Sequence, residues 1–220
     1  MARKSGIQNG FDAGELSSLL LGRQDFDKYD RGMFVCLNGL PFTQGPWTRR
    51  PGTAFLHQCK YHERATRLYP FQFSTTQTYV LEFGDQYIRF YTSHGILTNA
   101  SQSVTAITKA NPGVVTKVGH GYSNGDRLQL SAFTTGMTQL NGREVQVANA
   151  AADTFELWET NGVGALVKID TTLYGTFTSG TMAKIFEVVS PYFATELAAL
   201  RITQSADTVY LTSPTKPPKI

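Results

Sequence analysis

Between Leu68 and Tyr91 apolar and polar positions alternate with few breaks: Tyr79, Leu81 and Phe83 interleave with Thr78, Val80 and Glu82. A period of two marks a half-buried strand. Gly84-Asp85 follows, and glycine in the first place of a two-residue turn predicts a type II′ hairpin. Counting outward pairs Phe83 with Gln86, Leu81 with Ile88 and Tyr79 with Phe90. The apolar faces coincide, so Tyr79, Leu81, Phe83, Ile88 and Phe90 are its expected structural core. Glu82 then falls opposite Tyr87 and diagonal to Arg89, within reach of a cross-strand charge pair. A lone hairpin is marginal in water, so this one must recruit further strands.

Before the hairpin the pattern suggests helices. Asp12 with Glu15 three residues on, flanked by Phe11 and Leu16, predicts a capped helix from Ala13 through Leu21 that stops at Gly22. A second is expected with Asp25 as cap, Phe26 and Tyr29 on one face, and Gly32 as stop. Both are too short to stand alone. Met33–Leu40 is an apolar run that predicts a strand, and Ala54–Leu56 a shorter one. Trp47 is the expected anchor of the loop between them, which also carries Arg49 and Arg50.

From about Ser101 the texture changes to short strands between turn signals. Val114-Val115, Arg127–Leu130, Arg143–Val147 and Thr154–Trp158 read as strands, with turns at Asn124-Gly125-Asp126 and at Asn141-Gly142, the latter expected as type I′. After Lys184 the first texture returns: a strand at Ile185–Val189, a helix with Leu197 and Leu200, a strand at Thr208–Leu211 and a Pro-rich tail. The expected architecture is mainly β. A split sandwich or sheet host (1–102 and 185–220), with a few short helices, would carry an inserted small β-barrel (103–184).

Composition narrows the function classes. Charged residues make up 17% of the chain, below the roughly 25% of an average soluble protein, and the net charge of +3 is too small to argue for nucleic-acid binding. The N-terminal stretch lacks the apolar core of a signal peptide, and no apolar run reaches the length of a membrane span. Cys36 and Cys59 are expected as reduced thiols. His57, Cys59 and His62 form only half of a zinc motif, so no metal and no cofactor is expected. Glu82 and Asp85 are the nearest approach to a carboxylate pair, and a salt bridge from Glu82 is the expected use rather than acid–base work. Without a visible nucleophile or acid–base pair, a chain that is not an enzyme is expected.

Several stretches, in order, resemble one family. They are Phe11–Ser17, Gly22-Arg23-x-Asp25-x-Asp27-Lys28-Tyr29, Thr48–Thr53, Pro70-Phe71-x-Phe73-Ser74, Tyr79–Tyr91, and then Ser190-Pro191-Tyr192, Leu197, Leu200 and Gln204–Asp207. Together they are similar to the N-terminal region of the tail nozzle, or tail tubular, proteins of short-tailed bacteriophages, whose members continue into further β domains. The segments Asn111–Thr116, His120–Asp126 and Gly136–Arg143 resemble the small β-barrel named after the first catalytic cysteine half-domain of ubiquitin-activating enzymes. No counterpart of those enzymes' catalytic parts accompanies it.

The resemblance implies a structural subunit of the virion tail, assembled in the host cytoplasm. It implies a homo-oligomeric ring, a hexamer, around the path of genome ejection. Adaptor or portal-proximal tail proteins and tail fibres would be its neighbours, with transient passage of DNA and no membrane span. The competing reading is a host-surface or tail-fibre binding module of the virion. Leu16, Leu19, Leu20, Asp25, Asp27, Arg49 and Arg50 are the expected contacts between subunits.

Overall fold

The computed structural model describes residues 7–161 and 164–220. The chain is mainly β, with no long helix among the described residues. It divides into two compact units, residues 1–55 and 56–220.

The first unit holds short pieces only. Strand β1 (Gly14–Glu15) pairs in parallel with β2 (Gly32–Met33), and β3 (Gly39–Pro41) pairs antiparallel with β4 (Trp47–Arg49). The helix expected over Ala13–Leu21 does not form. Gly14 sits at φ +69°, outside helical space, and Ser17, not Asp12, caps a single 3₁₀ turn at Ser18–Leu20 by accepting from Leu19 N. Asp12 pairs instead with Arg31 Nε at 2.7 Å. The second expected helix shrinks to a 3₁₀ turn at Tyr29–Arg31. The apolar run Met33–Leu40 is cut by Asn38, which adopts φ 54° and turns the chain into the β3–β4 hairpin. Residues 54–56 lie outside any strand.

The second unit contains two main sheets. In the five-stranded one, β5 (Arg67–Gln72), β6 (Thr78–Gly84) and β7 (Tyr87–Thr92) form a meander, and β8 (Gly95–Ile96) pairs with the end of β7. The hairpin register differs from the expected one. Glu82 lies directly opposite Arg89, Phe83 opposite Ile88 and Leu81 opposite Phe90. The turn is therefore Asp85-Gln86, with Gln86 at φ 64°. Gly84 is required for clearance, since a Cβ there would lie 2.1 Å from the Tyr87 ring. Each strand nevertheless keeps its faces. Leu81 and Phe83 are buried, and Tyr79, Ile88 and Phe90 pack against them together with Tyr192, Leu197, Leu200 and Leu211.

The next eight strands form the second sheet: β9 (Gln102–Ser103), β10 (Ala106–Ile107), β11 (Val114–Thr116), β12 (Arg127–Ser131), β13 (Glu144–Ala148), β14 (Thr154–Thr160), β15 (Leu166–Lys168) and β16 (Thr181–Lys184). It curls into a half-barrel. Leu128, Leu130, Val145, Val147, Phe155, Leu157 and Met182 fill its concave side, all essentially buried. The turn at Asn141-Gly142 is type II, not I′: Asn141 has φ −66° and ψ 128°, Gly142 has φ 77°, and Arg143 N bonds Leu140 O. A 3₁₀ turn precedes it (Thr138–Leu140), so it does not join two strands as a tight hairpin.

Strand β17 (Glu187–Val189) returns to the first sheet and pairs antiparallel with β7. The segments entering and leaving the half-barrel run side by side: Thr98 bridges Ile185, Asn99 N bonds Lys184 O, and Phe186 N bonds Leu97 O. In place of the helix expected near Leu197, a 3₁₀ turn at Ala194–Glu196 leads to the hairpin β18 (Arg201–Ser205) and β19 (Thr208–Thr212). That hairpin covers the apolar face of the five-stranded sheet through Ile202, Val209 and Leu211.

Candidate functional site

The chemistry of the second unit gathers on the other face of β6–β7–β17. Alternation puts Glu82, Tyr87, Arg89, Tyr91 and Glu187 on that face. The same alternation turns Arg127, Gln129 and Glu144 outward from the half-barrel, since their neighbours Leu128 and Val145 point in. The two polar faces meet. Arg89, with no exposed surface, donates through both terminal nitrogens to Glu144, at 3.0 and 3.2 Å, and through Nε to Glu187 Oε2 at 3.4 Å. Arg127 sits 3.7 Å from Glu144 Oε1 and donates to Thr160 Oγ1 at 2.9 Å. Lys60 Nζ lies 2.5 Å from Glu187 Oε1. His57 places Nδ1 3.4 Å from Glu144 Oε2 and Nε2 3.1 Å from Gln129 Oε1.

Glu82 is held differently. Tyr87 and Tyr91 each donate a hydroxyl to one of its oxygens, both at 2.5 Å. The expected Glu82–Arg89 salt bridge is replaced: the arginine turns to Glu144 and Glu187, and the tyrosines take the carboxylate. Three carboxylates thus share this seam with three fixed cations, Lys60, Arg89 and Arg127, so its formal charge is balanced.

These surroundings decide what the seam can do. Burial, reinforced by the Glu82 carboxylate, pushes the pKa of both Tyr87 and Tyr91 well up, which keeps their protons on oxygen. That favours a fixed hydrogen-bond donor over an activated phenolate. For Arg89, burial alone would lower the pKa, but Glu144 and Glu187 outweigh it and raise it. Arg127 is lowered by its burial. The arrangement is a charge-matched joint between two sheets. Removing one member of such a buried pair costs about 3–5 kcal/mol, because the partner is stranded.

The other expected sites are scattered. Among the described residues no three His, Cys, Asp or Glu side chains gather as metal ligands. His57 lies in the seam, Cys59 contacts Thr66, and His62 contacts Gln58. Asp85 accepts from Ala194 N and pairs with Arg64, so it braces a turn. In the first unit Leu16 folds over Gly32 and helps line a cavity of about 380 Å³ with Leu21, Met33 and Phe34. Leu20 is half-buried and Leu19 fully exposed. Asp25 is engaged by Arg23 in a two-pronged pair, Arg50 by Asn38 Oδ1 at 2.8 Å, and Asp27 and Arg49 are exposed. Among the described residues of 7–55, no large hydrophobic side chain is buried.

No family model matches the chain, and no curated protein does. Among solved structures it is similar to phage phi92 endosialidase, with a TM-score of 0.28 and 13% identity over 76% of this chain. The match spans 28% of that protein's length. The likeness thus touches a phage protein whose name is that of an enzyme. That name stands against the expectation of a chain that is not an enzyme, and the expectation is withdrawn. At this TM-score the likeness transfers no activity.

Proposed function

We propose that the chain is a structural subunit of a bacteriophage tail, contributing to a nozzle or tube ring on the path of genome ejection. The observation that carries this reading is the first unit. Its side chains are rich in large hydrophobics, yet none of those described is buried within the chain. An uncovered apolar surface of this extent marks an interaction site. The order of the nozzle-like motifs supports the same reading, with Leu16, Leu19 and Leu20 at the contact between subunits and adaptor proteins and tail fibres as further neighbours. A closed ring needs one patch to meet a different patch on the next copy, and six copies is the number the resemblance implies.

The test is the particle mass in solution, by sedimentation and by imaging of the assembled species. Leu16→Asp with Leu20→Asp should disperse the ring while the far-UV β signal survives. A 220-residue chain that stays monomeric at every concentration would sink the reading. The competing reading, a host-surface or tail-fibre binding module, draws on Val118 and Leu173, exposed on the half-barrel. It predicts that the chain binds host cells or fibres as a monomer.

A further inference from the structure

The apolar surface of the first unit needs a complement, and the second unit carries one. On the seam face of the five-stranded sheet, buried charges occupy one end, at Glu82 and Arg89. Along β5 and β6 the same face carries a short open apolar strip, Leu68, Pro70 and Val80, before the polar pair Gln72 and Thr78. Leu68 pairs with Glu82, and Pro70 with Val80; Leu68 is 63% exposed and Val80 38%. A cavity of about 350 Å³ adjoins Val80, its wall shared between Leu56, Tyr79 and Tyr91 and the polar Thr78, Thr92 and His94. Strand β5 is the sheet's edge, but Pro70 supplies no N–H there, which disfavours extension by another strand. The face, not the edge, is suited to a partner.

We infer that this strip is the acceptor for the N-terminal unit of a second copy of the chain. The inference rests on the assembly reading above and names the surface that assembly uses. The area argues for a whole protein partner. Ile7, Leu19, Phe34, Leu37 and Phe55 are 80, 88, 70, 73 and 84% exposed. At roughly 150–200 Å² each they offer on the order of 600–800 Å², near the ~800 Å² one partner brings to a stable interface. The connection at 51–56 is exposed and outside any element, and six extended residues reach roughly 20 Å. Donor and acceptor lie on one chain as different patches, so the contact repeats head to tail.

Leu68→Lys with Val80→Lys tests the acceptor, and both positions are exposed enough to leave folding intact. This variant should need at least tenfold more protein to reach half-assembly, with an unchanged melting profile. Mixed one to one with Leu19→Asp/Leu37→Asp, which carries a damaged donor on two exposed positions and a sound acceptor, it should form dimers that grow no further. Assembly of the lysine variant at the unsubstituted chain's concentration overturns the acceptor while the assembly reading stands. A mixture that stays monomeric overturns it too, since the donor then docks elsewhere or on its own chain. If neither variant changes the particle mass, both readings fail.

Discussion

Residues 56–220 dry an arginine completely, whereas the described residues of 7–55 bury not one leucine or other large hydrophobic side chain. An unpaired charge is among the most costly groups to bury, and leucine among the cheapest. A region that achieves the first has matched its polar groups and closed its interior. A region that fails at the second is unfinished as a single chain, whatever its composition. The contrast teaches that burial follows topology more than hydrophobicity. The half-barrel closes over its own concave side and the β18–β19 hairpin covers the meander, while the two-strand pieces of the first unit have no face broad enough to close.

The sharpest way to break the contrast is to strand the seam. Arg89→Ala should cost about 3–5 kcal/mol of unfolding free energy, read from urea denaturation, because Glu144 and Glu187 lose their buried partner. A loss below 1 kcal/mol would mean that water already reaches the seam. Leu157→Ala, on the concave side of the half-barrel, should cost about 2–5 kcal/mol in the same measurement.

Smaller again is Tyr91→Phe, at about 1–3 kcal/mol, for a hydrogen bond to a charged acceptor. The tyrosines also set an alkaline limit. Their folded pKa lies above the unfolded value near 10, so the stability they contribute is whole below about pH 10 and is lost as pH rises beyond it. The urea midpoint should therefore fall as pH rises above about 10, and Tyr87→Phe with Tyr91→Phe should flatten that fall. An unchanged slope would show that other groups govern it. The smallest effect is expected at Leu19→Ala, within about 0.5 kcal/mol for the monomer, since nothing covers that side chain. A larger cost would mean that Leu19 is packed after all.

Which parts of this were legible in the sequence follows from how local their causes are. Strand faces are set by a period of two, so Leu81, Phe83, Ile88 and Phe90 could be assigned to one face from their order alone. The turn could not, because Gly84 looks like a residue chosen for its φ when it is needed to clear the Tyr87 ring. At the N-terminus Asp12 and Glu15 imitate a helix cap, while Gly14 at positive φ breaks the helix they would start. The seam was out of reach for another reason. Glu144 and Glu187 stand 55 and 98 residues from Arg89, and nothing in a linear pattern of strand polar positions says which of them will face each other. The signal that was present is a charged residue at a polar place inside strands whose alternate positions are fully apolar, as at Arg127–Leu130 and Glu144–Val147.

The crossing at Thr98 and Ile185 has a mechanical consequence. Tension pulled through the backbone from the meander towards β17 would meet the cross-bonds at Leu97–Phe186 and Asn99–Lys184 before it reached any strand of the half-barrel. Those bonds short-circuit the loop of chain between them. A tug along the polypeptide would therefore stretch the five-stranded sheet and leave the half-barrel slack, so pulling in an optical trap should show the sheet yielding first and the half-barrel unravelling only after the crossing has opened.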